Sequence, residues 1–225
     1  MKKKQFSDYQ VIKVGARDSK LSRAQVEEIL RELLAFHPHV VFDPIWMKTT
    51  GDHDLKTSLK TLGKTDFFTK ELDEKLLSRD IQIAIHSAKD LPDPLPSGLK
   101  VVALTRGVDP SDSLVFNEAE LPQGARIGTS SQRREEMLLK WRPDLKCVDI
   151  RGTIDHRLSL LDRGDLEGLV VAEAALIRLK LTHRKRMPLD GDTAFLQGRL
   201  AVVARDDDAQ MEELFSCLHV GLEVS

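Results

Sequence analysis

The chain has 225 residues and a 41% hydrophobic fraction, the size and composition of one or two compact globular domains. With 34 basic against 36 acidic side chains the net charge is near −2. That balance excludes a global field favouring nucleic acid or an acidic membrane surface, and it leaves local arginine clusters in need of a local explanation. Charged residues interrupt every apolar run well short of the roughly 18 residues of a membrane span. Met1-Lys2-Lys3-Lys4 is followed by Gln5, Phe6, Ser7 and Asp8 rather than by the apolar core of a signal peptide. Neither Cys147 nor Cys217 stands in zinc-binding register with a histidine, so a reducing cytoplasm is the expected compartment.

From the N-terminus, Val11–Gly15 reads as a strand and Lys20–Phe36 as a helix, with Val26, Ile29, Leu30, Leu33 and Leu34 at helical spacing. Val40–Met47 is a second strand. The stretch Lys48–Phe67 is long for a connection inside a compact domain; such loops are lids, binding loops or disordered, and Gly51 and Gly63 are its expected hinges. A helix near Thr69–Ser78 leads into Ile81–Ile85, an apolar run of the buried parallel type, and Val101–Thr105 closes a first unit. A second series follows: Arg126–Gly128 into Gln132–Lys140, Leu145–Ile150 into Ile154–Asp162, and Leu169–Ala172 into Ala174–Leu179. Arg184–Asp192 is a polar, proline-bearing stretch. The last elements are a strand at Leu200–Ala204 and a helix whose apolar face is Met211, Leu214, Phe215 and Leu218. This alternation predicts an α/β fold with two parallel sheets and ligand sites at their carboxyl ends.

Two devices sit at such strand ends. In Ile85-His86-Ser87-Ala88-Lys89-Asp90-Leu91-Pro92 an apolar strand ends on a lysine and a carboxylate. Arginine beside small hydroxyl residues recurs in Gly15-Ala16-Arg17-Asp18-Ser19, Gly128-Thr129-Ser130-Ser131-Gln132-Arg133-Arg134 and Arg151-Gly152-Thr153. Guanidinium forks pair bidentately with carboxylates and stay charged, and helix N-termini add backbone donors, so the arrangement suits a ligand with many carboxylates. Taken alone, an aspartate after a strand is a cap or turn residue, and a single helical arginine lies on a solvated face. His86 reads as a satisfied structural histidine, and His37, His39 and His53 make no metal-ligand spacing, so no metal is expected. His183-Arg184-Lys185-Arg186 lacks interleaved aromatics and reads as a solvated loop, not a nucleic-acid patch.

Five motifs in order then carry a resemblance. Gly15-Ala16-Arg17-x-Ser19-x-Leu21, His86-Ser87-Ala88-Lys89-Asp90-Leu91-Pro92, Gly128-Thr129-Ser130-Ser131-x-Arg133-Arg134, Arg142-Pro143-Asp144-Leu145 and Arg151-Gly152-Thr153-x-x-x-Arg157-Leu158 resemble porphobilinogen deaminase, also called hydroxymethylbilane synthase. The resemblance runs from about Val11 to about His219.

It implies two domains like those of type II periplasmic binding proteins, with the chain crossing between them twice: residues 1–105 with 197–225, and 106–196. It implies a transferase that condenses porphobilinogen head to tail into a linear tetrapyrrole and releases ammonia, with Asp90 stabilising the cation that forms when ammonia leaves. Arg17, Arg133, Arg134, Arg151, Arg157 and Arg178 become a carboxylate clamp, with Ser19, Ser87, Thr129 and Ser131 as hydroxyl partners and Lys89 beside them. Lys60 and Lys64 fall in the lid, and Gln197-Gly198 resembles a hinge-strand Gly-Gln-Gly in which Leu196 replaces the first glycine. The family's dipyrromethane cofactor hangs on a cysteine of a third domain, and the sequence ends at Ser225 before that domain would begin. Covalent attachment at Cys147 or Cys217 is not expected, and the alternative to a transferase is a weakly active or non-catalytic binder of pyrrole carboxylates.

Overall fold

The computed structural model describes residues 10–54, 57 and 66–221. On β1 (Gln10–Arg17), Ile12, Val14 and Ala16 are fully buried while Val11 and Lys13 stay exposed. α1 (Lys20–Leu34) starts where the Ser19 Oγ accepts the Ser22 N–H at 3.1 Å, and it lays Val26, Ile29 and Leu33 over that buried face. β2 (Val40–Met47) runs parallel to β1, with Gln10 opposite Val40 and Arg17 opposite Met47. After the short α2 (Thr50–His53), α3 (Lys70–Leu77) covers the other face with Leu72 and Leu76. β3 (Ile83–Ser87), which the periodicity places two residues earlier, ends in a 3-10 turn at Ala88–Asp90, and β4 (Leu99–Leu104) closes this run.

The chain then builds β5 (Asp112–Phe116), β6 (Arg126–Gly128), α4 (Gln132–Trp141), β7 (Lys146–Val148), α5 (Ile154–Asp162), β8 (Gly168–Ala172), α6 (Glu173–Arg178) and β9 (Arg186–Leu189). β10 (Leu200–Arg205) and α7 (Ala209–Phe215) return to the first sheet, where Met211, Leu214, Phe215 and Leu218 join its core. Among the described residues there are two five-stranded sheets, ordered β2-β1-β3-β10-β4 and β7-β6-β8-β5-β9.

Both sheets are mixed, not parallel as expected. β10 runs antiparallel to β3 and β4, and β5 runs antiparallel to β8 and β9. The reversed strand in each sheet is the first one reached after a crossing. The chain leaves β4 and β9 at carboxyl ends that face the other sheet, so it enters the next sheet from that side and must run away from it. β5 and β9 also lie where no strand was expected. β5 opens on Asp112 and Ser113, polar residues that are nevertheless buried. β9 contains Pro188, which an edge strand tolerates because one row of its N–H groups has no ladder partner. The basic run before it is not a solvated loop: Arg186 forks onto Glu173 and Arg184 onto Asp162, each with contacts between 2.7 and 3.1 Å.

The crossings touch backbone to backbone. Gly107 and Gly198 have φ of +81° and +85°, and a Cβ on Gly198 would stand 2.6 Å from the Asp109 carbonyl oxygen. Only glycine fits such a contact in the left-handed region. Gly198→Ala is expected to destabilise the fold by about 2 kcal/mol or more, lowering Tm by at least about 4 °C in a thermal melt.

Candidate active site

The carboxyl ends of the two sheets face each other across a cleft of about 640 Å³. The β1–α1 turn contributes Arg17 and Ser19, the turn after β3 contributes Ser87, Lys89 and Asp90, and the second sheet contributes Ser131, Arg133, Arg134, Arg151 and Arg157. Arg178 and Gln197 complete the wall. Thr129 is buried and outside this lining, its Oγ1 accepting the Ser131 N–H at 3.3 Å. Lys60 and Lys64 lie outside the described residues.

Three helices begin at the cleft. Ser19, Ser131 and Thr153 cap α1, α4 and α5 by accepting the N–H groups of Ser22, Arg134 and His156. The uncapped amides and the positive ends of the helix dipoles therefore point toward any anion held there.

The arginines arrive already oriented by the protein. Arg17 forks onto Asp52 through Nε, at 3.2 Å, and Nη2, with its guanidinium 4.5 Å from the Phe68 ring centroid. Burial raises the Asp52 pKa, but the Arg17 hydrogen bond and the Thr49 N–H outweigh it and leave that carboxyl below its ordinary value. Arg151 donates to the Thr57 carbonyl and, at 3.1 Å, to the Gly51 carbonyl. Arg133 and Arg134 converge on Asp112, whose side chain is 0% exposed. Arg133 Nη2 donates to Oδ2 and Arg134 Nη2 to Oδ1, each at 2.6 Å, while Gln197 Nε2 adds 2.9 Å. Burial would lift the Asp112 pKa; Arg134 first, then Arg133 and Gln197, reverse that shift. Gln197 Oε1 accepts from Lys89 Nζ at 3.1 Å, so Asp112 and Lys89 share one amide.

Charge crowds in this cleft. Burial, reinforced by Arg134, Arg151 and Arg17, pushes the Arg157 pKa down to about 10. Its one side-chain hydrogen bond among the described residues runs from Nε to the Gly152 carbonyl at 2.9 Å. Burial and Arg134 push Lys89 down to about 8, partly offset by Asp90. Asp90 is exposed to the cleft and near enough to both cations to favour their charged forms. His86 is buried and held neutral, its pKa near 4 through burial and Arg17. Contrary to expectation it is not satisfied: its Nε2 has no hydrogen-bond partner among the described residues.

Sequence reasoning missed Asp112, Asp52 and Glu28, the carboxylates that position the arginines. Asp112 stands two residues before the apolar run Leu114–Phe116, a local signal that could have marked it. Arg178 is not a free clamp residue, because it forks onto Glu28. Among the described residues no group of three His, Cys, Asp or Glu side chains could hold a metal, and no helix is long and apolar enough to cross a membrane.

Asp112→Asn removes the buried charge that the buried Arg134 and the partly exposed Arg133 both face, and is expected to cost about 3–5 kcal/mol in a denaturant titration. Lys89 is expected to react with trinitrobenzenesulfonate with a rate midpoint near pH 8, read by peptide mass mapping, where an ordinary lysine titrates near pH 10.4. A midpoint near 10 would place Lys89 in solvent-like surroundings.

The family described as porphobilinogen deaminase, dipyromethane cofactor binding domain, matches residues 12–213. The porphobilinogen deaminase of Desulforudis audaxviator is 42% identical over 208 residues, which cover 89% of this chain and 67% of that one. A probable porphobilinogen deaminase of Chlamydia pneumoniae is 38% identical over 92% of this chain and 90% of its own length. Among solved structures, the methionine-binding protein MetQ superposes with a TM-score of 0.58 at 13% identity, covering 92% of this chain and 88% of that one, a likeness of fold alone. With its motifs gathered at one cleft and these relatives matched along most of its length, the chain belongs to the porphobilinogen deaminase family.

Proposed function

We propose that this chain is a transferase of the hydroxymethylbilane synthase type, joining porphobilinogen units head to tail with release of ammonia. The observation that carries this reading is the crowding of cations around the cleft, where Arg157 and Lys89 are pushed toward deprotonation by burial and by neighbouring guanidinium groups. Such a site is stabilised by a ligand that brings several carboxylates, and each pyrrole unit of this chemistry brings an acetate and a propionate. Residues 1–105 with 197–225, and residues 106–196, are proposed as the two lobes that enclose it.

The donor set also fits a dipyrromethane, whose carboxylates would be held by Arg17, Ser19, Lys89, Arg133, Arg134, Arg151 and Arg157. When bound, that group supplies the pyrrole carbon to which the first substrate is joined. Neither cysteine of this chain is proposed as its anchor: burial raises the Cys217 pKa, and its thiol donates to the Leu214 carbonyl at 3.5 Å.

Asp90 is proposed as the catalytic residue. As the substrate's C–N bond breaks, ammonia leaves with the bonding pair and positive charge spreads onto the pyrrole nitrogen. A fixed carboxylate accepting that N–H stabilises the charge as it develops, without reorganising solvent. The Asp90 carboxylate in turn favours the charged forms of Lys89 and Arg157 beside it.

Purified protein incubated with porphobilinogen is expected to consume it and form a linear tetrapyrrole, detected after oxidation to uroporphyrin. Asp90→Asn should slow this turnover by about 10²–10³-fold while Tm holds. An active wild type matched by an active Asp90→Asn variant overturns the assignment. Binding without consumption would favour the non-catalytic binder of pyrrole carboxylates.

A further inference from the structure

Besides the two crossings, side chains join the sheets through contacts of unequal quality. At the mouth, Lys20 on α1 meets Asp155 on α5 at 3.0 Å, but these side chains are 73% and 41% exposed. Water and salt screen such a pair. Behind the cleft, Glu28 and Arg178 are 9% and 5% exposed. Arg178 Nε reaches Glu28 Oε2 at 2.8 Å and Nη2 reaches Oε1 at 2.9 Å, a planar fork that fixes angle as well as distance. The same Nη2 donates to the Gly198 carbonyl at 2.9 Å. One guanidinium therefore ties a helix of the first sheet, a helix of the second and the returning crossing at its tightest point.

We propose that the Glu28–Arg178 pair is a hinge-side latch, setting the angle at which Arg17 of the first sheet faces Arg151 and Arg157 of the second. Glu28 is a positioning residue: its carboxylate takes Arg178 out of the ligand clamp and uses it to hold the two halves together. The wall location of Arg178 fits this role, since the protein itself supplies the carboxylate that a ligand would otherwise bring. The proposal rests on the functional reading above only in taking a pyrrole carboxylate as the ligand whose affinity reports closure.

The test uses the full chain as wild type, Glu28→Gln, the double variant Glu28→Gln/Arg178→Met, and Lys20→Ala as the exposed-pair control. The double variant leaves no buried charge unpaired, so it keeps the question answerable if Glu28→Gln alone fails to fold. Small-angle scattering without ligand should give a larger radius of gyration for the latch variants than for wild type and Lys20→Ala, with far-ultraviolet dichroism unchanged. Calorimetric titration with porphobilinogen should show Kd raised about tenfold, the effect of a closed population reduced to about one tenth, and saturating ligand should restore the wild-type radius. A double variant with wild-type radius and affinity overturns the latch. A wild type that fails to bind porphobilinogen overturns the functional reading instead, and the scattering comparison still decides the latch.

Discussion

The carboxylate of Asp112 is the interaction on which the rest of the molecule depends. It is fully buried, and a buried charge persists only where opposite charge and hydrogen bonds replace the water it has lost. Arg133, Arg134 and Gln197 provide them, and each brings a different part of the chain. The first turn of α4 is drawn against the start of β5, and the returning crossing is pinned over both. Through the Gln197 amide the network reaches Lys89 in the first sheet. The cleft's shape and the approach of the crossings thus share one electrostatic origin.

That origin explains how a nearly neutral chain carries a strongly cationic cleft. The compensating acids are not distributed evenly; Asp112 and Glu28 stand behind the arginines, outside the cleft lining, while Asp52 lines the cleft beside Arg17. Asp52 and Glu28 each hold one guanidinium and Asp112 holds two, each by one edge, leaving the field of the remaining charge directed into the cavity. Three capped helix starts add their dipoles in the same direction. Preorganisation of this kind places the cost of gathering cations in the folding of the protein, before any ligand arrives.

Elements defined by local rules were legible in the sequence. Val40–Met47 and Ile154–Asp162 follow from apolar patterning and, for the helix, from the Thr153 cap. Strand direction was not, because a period-2 pattern reads the same either way along the chain, and only the crossings reverse β5 and β10. β5 escaped because its opening residues are polar and their partners are distant: Arg134 lies 22 residues away from Asp112, and Glu173 lies 60 away from Ser113. The cations of the cleft were visible as motifs, whereas the acids behind them were not. Glu28 lies 150 residues from Arg178, with nothing in its own helix to announce the pair.

The reversed strands also impose an order on assembly. β10 lies between β3 and β4, so until residues 200–205 emerge during synthesis, the first sheet has two facing edges with nothing between them. β5, by contrast, pairs with β8 and β9 from the stretch already made. The second sheet can therefore close on the nascent chain while the first waits, its open edges held apart by an unfilled strand position. Contacts of such long sequence separation fold slowly and expose unpaired edges to other chains. The inserted half of this molecule thus becomes an internal scaffold, folding early and delivering the last strand to the half that started first.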